Sequence, residues 1–93
     1  MDFTDFDLRI GTVREAVQNG DVLELVIDFG GVVRSAETRI TERYTADDLR
    51  GRQVVAVTNA PGGGAVVLAA VSPAHGAVLL QPEIAVADGT QVV

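Results

Sequence analysis

Hydrophobic and polar positions alternate along most of this chain, in short runs rich in Val and Ile cut by turn residues. Alternation of this kind predicts strands of a small barrel or sandwich rather than helices. The first strand is predicted over Leu8–Arg14, and Gly11 within it suggests a bulge or a bend. Gln18–Asp21 reads as a turn, because Asn-Gly takes positive φ at little cost. In Leu23–Phe29 the pattern points Leu23, Leu25, Ile27 and Phe29 inward and Glu24 and Asp28 outward. Gly30-Gly31 then turns the chain into a strand over Val32–Ile40.

The alternation breaks at Thr45–Leu49, which fits a capped helical turn. Thr45 is placed to accept from the backbone N–H near Asp48, and Asp47 and Asp48 sit at the positive end of the helix dipole. Gly51 stops the turn as a C′ residue. Gln53–Thr58 reads as a buried strand, Pro61–Gly64 as a flexible loop and Ala65–Val71 as the next strand. Ala77–Leu80, and Ala85–Val93 with a turn at Asp88-Gly89, close the chain. Three strands, a short helix and two or more strands predict an all-β fold. It is a five-stranded OB-fold Greek-key barrel with a short helix between strands 3 and 4. An SH3-like barrel, the main rival, does not usually place a capped turn there. Residues 1–93 show no internal repeat and no linker, so one domain is expected.

Composition changes this picture in two ways. With three Phe, one Tyr and no Trp, the core must be built from small residues, and dimerisation would hide further apolar surface. With no Cys, no disulfide framework, zinc cluster or thiol nucleophile is available. There is no apolar run of about 18 residues, so no membrane helix is expected. The acidic start MDFTDFDLRI is unlike a basic signal peptide, so a cytoplasmic location is expected.

Charge sharpens the picture further. All seven basic residues are Arg, and the net charge is −6. Arg-only usage on an acidic chain fits either a GC-rich genome or a high-salt cytoplasm. Five of the arginines (Arg34, Arg39, Arg43, Arg50, Arg52) lie between Arg34 and Asn59, beside Glu37, Glu42, Asp47 and Asp48. That stretch is therefore net positive while the rest is strongly acidic. An acidic chain is a poor general binder of nucleic acid, because phosphate contacts need cations.

The run Leu25-Val26-Ile27-Asp28-Phe29-Gly30, and the longer one from Arg39-Ile40-Thr41-Glu42-Arg43-Tyr44 through Asp48–Asn59, carry a resemblance. They resemble the tRNA-binding OB domain, and within that family the CsaA-type secretion chaperones. Phe6–Val13 resembles the family's opening strand, and Val78–Pro82 with Gly89–Val92 its C-terminal end. The resemblance implies an OB-fold homodimer. Its relatives include the C-terminal module of methionyl-tRNA synthetases, free-standing tRNA-binding proteins and chaperones that hold preproteins. The departures all weaken an RNA surface. After Asn59-Ala60-Pro61 the family's basic loop is reduced to Gly62-Gly63-Gly64. Paired serines give way to Ala36 and Glu37, Glu42 stands where Lys is frequent, and the first hairpin, Val17–Val22, is short.

Arg34, Arg39, Arg43, Tyr44 and Asn59 are the candidate nucleic-acid residues: arginines for the backbone, Tyr44 for stacking. The alternative reading pairs the arginines with Glu37, Glu42, Asp47 and Asp48 and packs Tyr44 under the helical turn. Phe3, Phe6, Leu79, Leu80 and Val92 are candidates for a dimer seam, or else ordinary core. His75 reads as a turn residue, and no cluster has metal-ligand spacing. Pro61–Gly64 lacks the Lys-Ser/Thr and the helix of a P-loop. No nucleophile stands beside a base, and capping explains Asp47-Asp48, so a binding module without cofactor is expected rather than an enzyme. Its expected partners are tRNA, unfolded or pre-secretory polypeptides, and a second copy of the chain.

Overall fold

The computed structural model describes residues 5–41 and 43–93. Strand β1 (Leu8–Asn19) pairs antiparallel with β2 (Val22–Asp28), and β2 with β3 (Val33–Thr38). A helical turn, α1 (Ala46–Leu49), leads into β4 (Gln53–Val57), which pairs with the first half of β1. A two-residue β5 (Val66–Val67) follows, then a ribbon of β6 (Ala69–Ser72) and β7 (Gly76–Leu79). The main sheet runs β3-β2-β1-β4-β5. It curls until the N–H of Ala65, just before β5, donates to the Ser35 carbonyl of β3 at 2.9 Å. This is the OB-type barrel that the element order predicts, with its helix between the third and fourth strands.

The alternation in β2 does what its pattern requires. Leu23, Leu25, Ile27 and Phe29 are buried, and they join Val13, Ala36, Leu49, Val54 and Ala56 in one cluster. Burying such side chains contributes roughly 1.5–3 kcal/mol each relative to exposure. The cap on α1 is also as expected. The Thr45 hydroxyl accepts from the Asp48 N–H, and the Asp48 carboxylate accepts from the Thr45 N–H.

Other expectations needed correcting. β1 runs on to Asn19, and its bulge lies between Val13 and Glu15, not at Gly11. Gly11 serves close approach instead: a Cβ there would stand 2.6 Å from Ile27 Cγ2 and 2.7 Å from the Phe29 ring. The run Ala65–Val71 is split between two pairings at Leu68, whose N–H donates to Val55 and whose carbonyl accepts from Leu80. Ala85–Val93 is a strap rather than a full strand. It bonds to β1 through Gly89 N–H to Ile10, Ile10 N–H to Thr90 and Val92 N–H to Leu8. Gly89 makes this possible: its φ is +89°, and a Cβ would meet the Phe29 carbonyl oxygen at 2.5 Å.

Candidate nucleic-acid interface

The chain between β3 and β4 places the central aromatic. A turn closed by Tyr44 N–H to Ile40 O (3.2 Å) drops Tyr44 into the barrel, where it is 7% exposed. Its hydroxyl accepts from the Leu79 N–H at 3.1 Å, so the ring is fixed at both ends. Tyr44 is therefore a core residue, not a free platform for a base. Its neighbours are what face outward. The Arg43 guanidinium lies 6.0 Å from the ring centroid and that of Arg52 5.6 Å. Both are within cation–π range. The two arginines flank the capped turn, one two residues before Thr45 and one just after Gly51. Neither forms a salt bridge among the described residues. Beside them opens a broad cleft of about 590 Å³ lined by Arg43 and the loop Ser72–Gly76, which includes exposed His75.

The other candidates lie elsewhere. Arg39 is 18 residues away in sequence from its partner Asp21, which it meets at 2.9 Å. Arg50 is engaged by Asp47 and by the Ala16 carbonyl. Asn59 is a clasp: its amide donates to Asp5 O and accepts from Asp7 N–H, both at 2.9 Å, tying the incoming chain to the end of β4. Glu42 lies outside the described residues, so its expected pairing has no description. Arg34 sits on β3 opposite Ile27, on the inward face at the far end of the barrel. The five candidates are thus not brought together, and only Arg43 remains in an open cationic site. Arg52, not among the sequence candidates, stands with Arg43 against the same ring. Its position after a helix-stopping glycine was legible, but its meeting with Tyr44 was not.

The outer face of β1–β3 also has a decided character. Glu24 stands directly opposite Glu37, with Glu15 on the next row, around a depression of about 310 Å³. Three carboxylates there repel phosphate. Three further aspartates titrate below their ordinary values. The Thr58 hydroxyl, then Arg9, hold Asp7 down. The N–H groups of Gly31 and Gly30 hold down Asp28, and the Thr45 backbone and hydroxyl hold down Asp48.

Among the seam candidates, Leu79 is 7% exposed and belongs to the core, while Phe6 and Leu80 expose 42% and 41%. Val92 is half-buried and bonded to β1. Phe3 lies outside the described residues. No helix among the described residues is long and apolar enough to cross a membrane.

No protein-family model matches the sequence. The structure is similar to the chaperone CsaA of Bacillus anthracis, with a TM-score of 0.90 and 38% identity over 99% of this chain and 94% of that one. The chain belongs to the tRNA-binding OB-fold family. It is also 35% identical over 101 residues to the methionine–tRNA ligase of Archaeoglobus fulgidus, matching 98% of this chain. The corresponding ligase of Methanococcoides burtonii is 36% identical over 100 residues. The chain spans about 15% of the length of these ligases. Within the family fold, the short Pro61–Gly64 connection lies against β3, with Gly64 packed on the Ser35 carbonyl.

Proposed function

We propose that the chain is a non-catalytic tRNA-binding module that grips RNA through Arg43 and Arg52. Family membership and the near-complete match to a segment of two methionine–tRNA ligases support this reading. The observation that carries it is the pair of arginines held over the buried Tyr44 ring, one of which, Arg43, lines the Ser72–Gly76 cleft. Guanidinium planes can stack bases as aromatic rings do, and they also contact phosphate. Two phosphate contacts give a slope of about −2 in log K against log salt. Fluorescence anisotropy of bulk tRNA tests this. Binding that weakens with salt, and that is weaker and less salt-dependent in the Arg43→Ala/Arg52→Ala double variant, is expected. No binding at micromolar protein and low salt contradicts it. The module acts in the cytoplasm, where its RNA is, and as a homodimer through the exposed Phe6 and Leu80.

A second reading has its own observation. An apolar cleft of about 410 Å³, lined by Phe6, Val57, Ala60, Pro61 and Val66, could hold an unfolded polypeptide, in line with the chaperone CsaA. Suppressed aggregation of a denatured client supports it; no effect at stoichiometric excess counts against it.

A further inference from the structure

The end of the barrel away from α1 is an open mouth. The strand ends that converge there supply Asp7 and Arg9, Phe29, Val32 and Arg34, and Thr58, around a cleft of about 270 Å³. Two of these residues are arginines on inward faces. Arg34 stands opposite Ile27, which is 0% exposed, and Arg9 opposite Ala56, also 0% exposed. Directly paired residues share one face of a sheet, so both cations are aimed at the barrel axis.

Their surroundings differ. Arg9 is satisfied: its Nε donates to Asp7 at 3.0 Å and its Nη1 to the Gly89 carbonyl at 3.0 Å. Asp7 is in turn occupied by Arg9 and by the Thr58 hydroxyl. Arg34 has no carboxylate among the described residues, and its Nε is buried without a hydrogen-bond partner. An unmatched buried donor costs more than a surface one, and here only the Nε of a partly exposed Arg34 is in that position. The mouth therefore carries one positive charge in excess, at a point where a planar fork of donors faces a small cleft.

We propose that this mouth is a binding site for a small oxyanion, a phosphate or carboxylate group seated on the Arg34 guanidinium. A guanidinium edge matches two oxygens of either group, and such bonds are the stronger class of hydrogen bond. The Thr58 hydroxyl and Arg9 line the same cleft, and Val32, half exposed, gives one apolar wall. The volume lies below that of ordinary cofactor pockets, so the group is a small anion or the end of a small ester. The site goes beyond tRNA binding: it lies at the other end of the barrel and does not require the Arg43–Arg52 pair.

The test is NMR of the whole chain titrated with inorganic phosphate, adenosine monophosphate and acetate in parallel. Saturable shifts of the Arg34 Nε–H signal, with Thr58 and Gly89 following, are expected for at least one of them. The ranking tells free phosphate from a phosphate ester and from a carboxylate. Arg34→Gln should weaken that affinity about tenfold or more, and Arg39→Gln should leave it within twofold of wild type. If the wild-type Arg34 signal does not saturate with any of the three, or if all arginine signals move together, the proposal is overturned. The wild-type titration decides this even if Arg34→Gln fails to fold.

Discussion

The two ends of this barrel treat arginine in opposite ways. At the α1 end, Arg43 is exposed and Arg52 half-buried, and both lean on a buried tyrosine. At the mouth, Arg34 points inward, with its Nε cut off from water and from any described partner. The first arrangement suits a long flexible polyanion that approaches from solvent. The second suits one small anion that enters a cleft. What separates them is not composition but strand parity. Arg34 shares the face of Ala36, which is in the core, whereas Arg43 and Arg52 bracket a turn.

The comparison can be broken most severely at the sealed end. Leu49 is fully buried under the arginine pair's turn, and Leu49→Ala should cost about 2–5 kcal/mol in chemical denaturation. A loss under about 1 kcal/mol would mean that α1 does not seal the barrel. Tyr44→Phe is next. It keeps the ring but leaves the Leu79 N–H without its acceptor, at a cost of about 1–3 kcal/mol. Arginine binding of RNA should survive that change, since the ring face remains.

Acid should act on both ends. Asp7 at the mouth, Asp28 on the outward face at the end of β2 and Asp48 at α1 are all held below their ordinary values, by the Thr58 hydroxyl, glycine N–H groups and the Thr45 cap respectively. In each case the unfolded chain binds protons more readily than the folded one. The stability they contribute is present above the unfolded value of about 3.9 and is lost as pH falls through the lower folded values. Thermal melts should therefore be flat from neutral pH down to about 5 and drop below about 4. A melt that rises on acidification through that range contradicts the assignment. The smallest effect belongs to Arg39. Its bond to Asp21 joins side chains that are 70% and 78% exposed, so Arg39→Ala should change stability by less than about 1 kcal/mol.

Local chemistry was readable from the sequence. The Leu23–Phe29 alternation, the Thr45–Asp48 cap and the order of strands and helix all followed from spacing. What was not readable depends on residues distant in the chain. Tyr44 is buried, as the reading that packs it under the helical turn expects, but the backbone N–H that its hydroxyl meets lies 35 residues away and no local pattern records that. Asn59 is consumed by the chain 52 and 54 residues before it. Arg34 looked like one of a basic group, yet its inward aim depends on the register of β3 against β2, which the short Gly30-Gly31 turn sets. Leu79 looked like a seam residue beside Leu80. Adjacent strand residues face opposite ways, and one of them went to the core.

The separation of the two ends is tested most directly by the salt dependence of tRNA affinity in three proteins: wild type, Arg43→Ala/Arg52→Ala and Arg34→Gln. The double variant should flatten the log–log slope by about 2, one counterion or slightly less per lost contact, while Arg34→Gln should keep both slope and affinity. A slope unchanged in the double variant, or reduced as much by Arg34→Gln, would contradict the account.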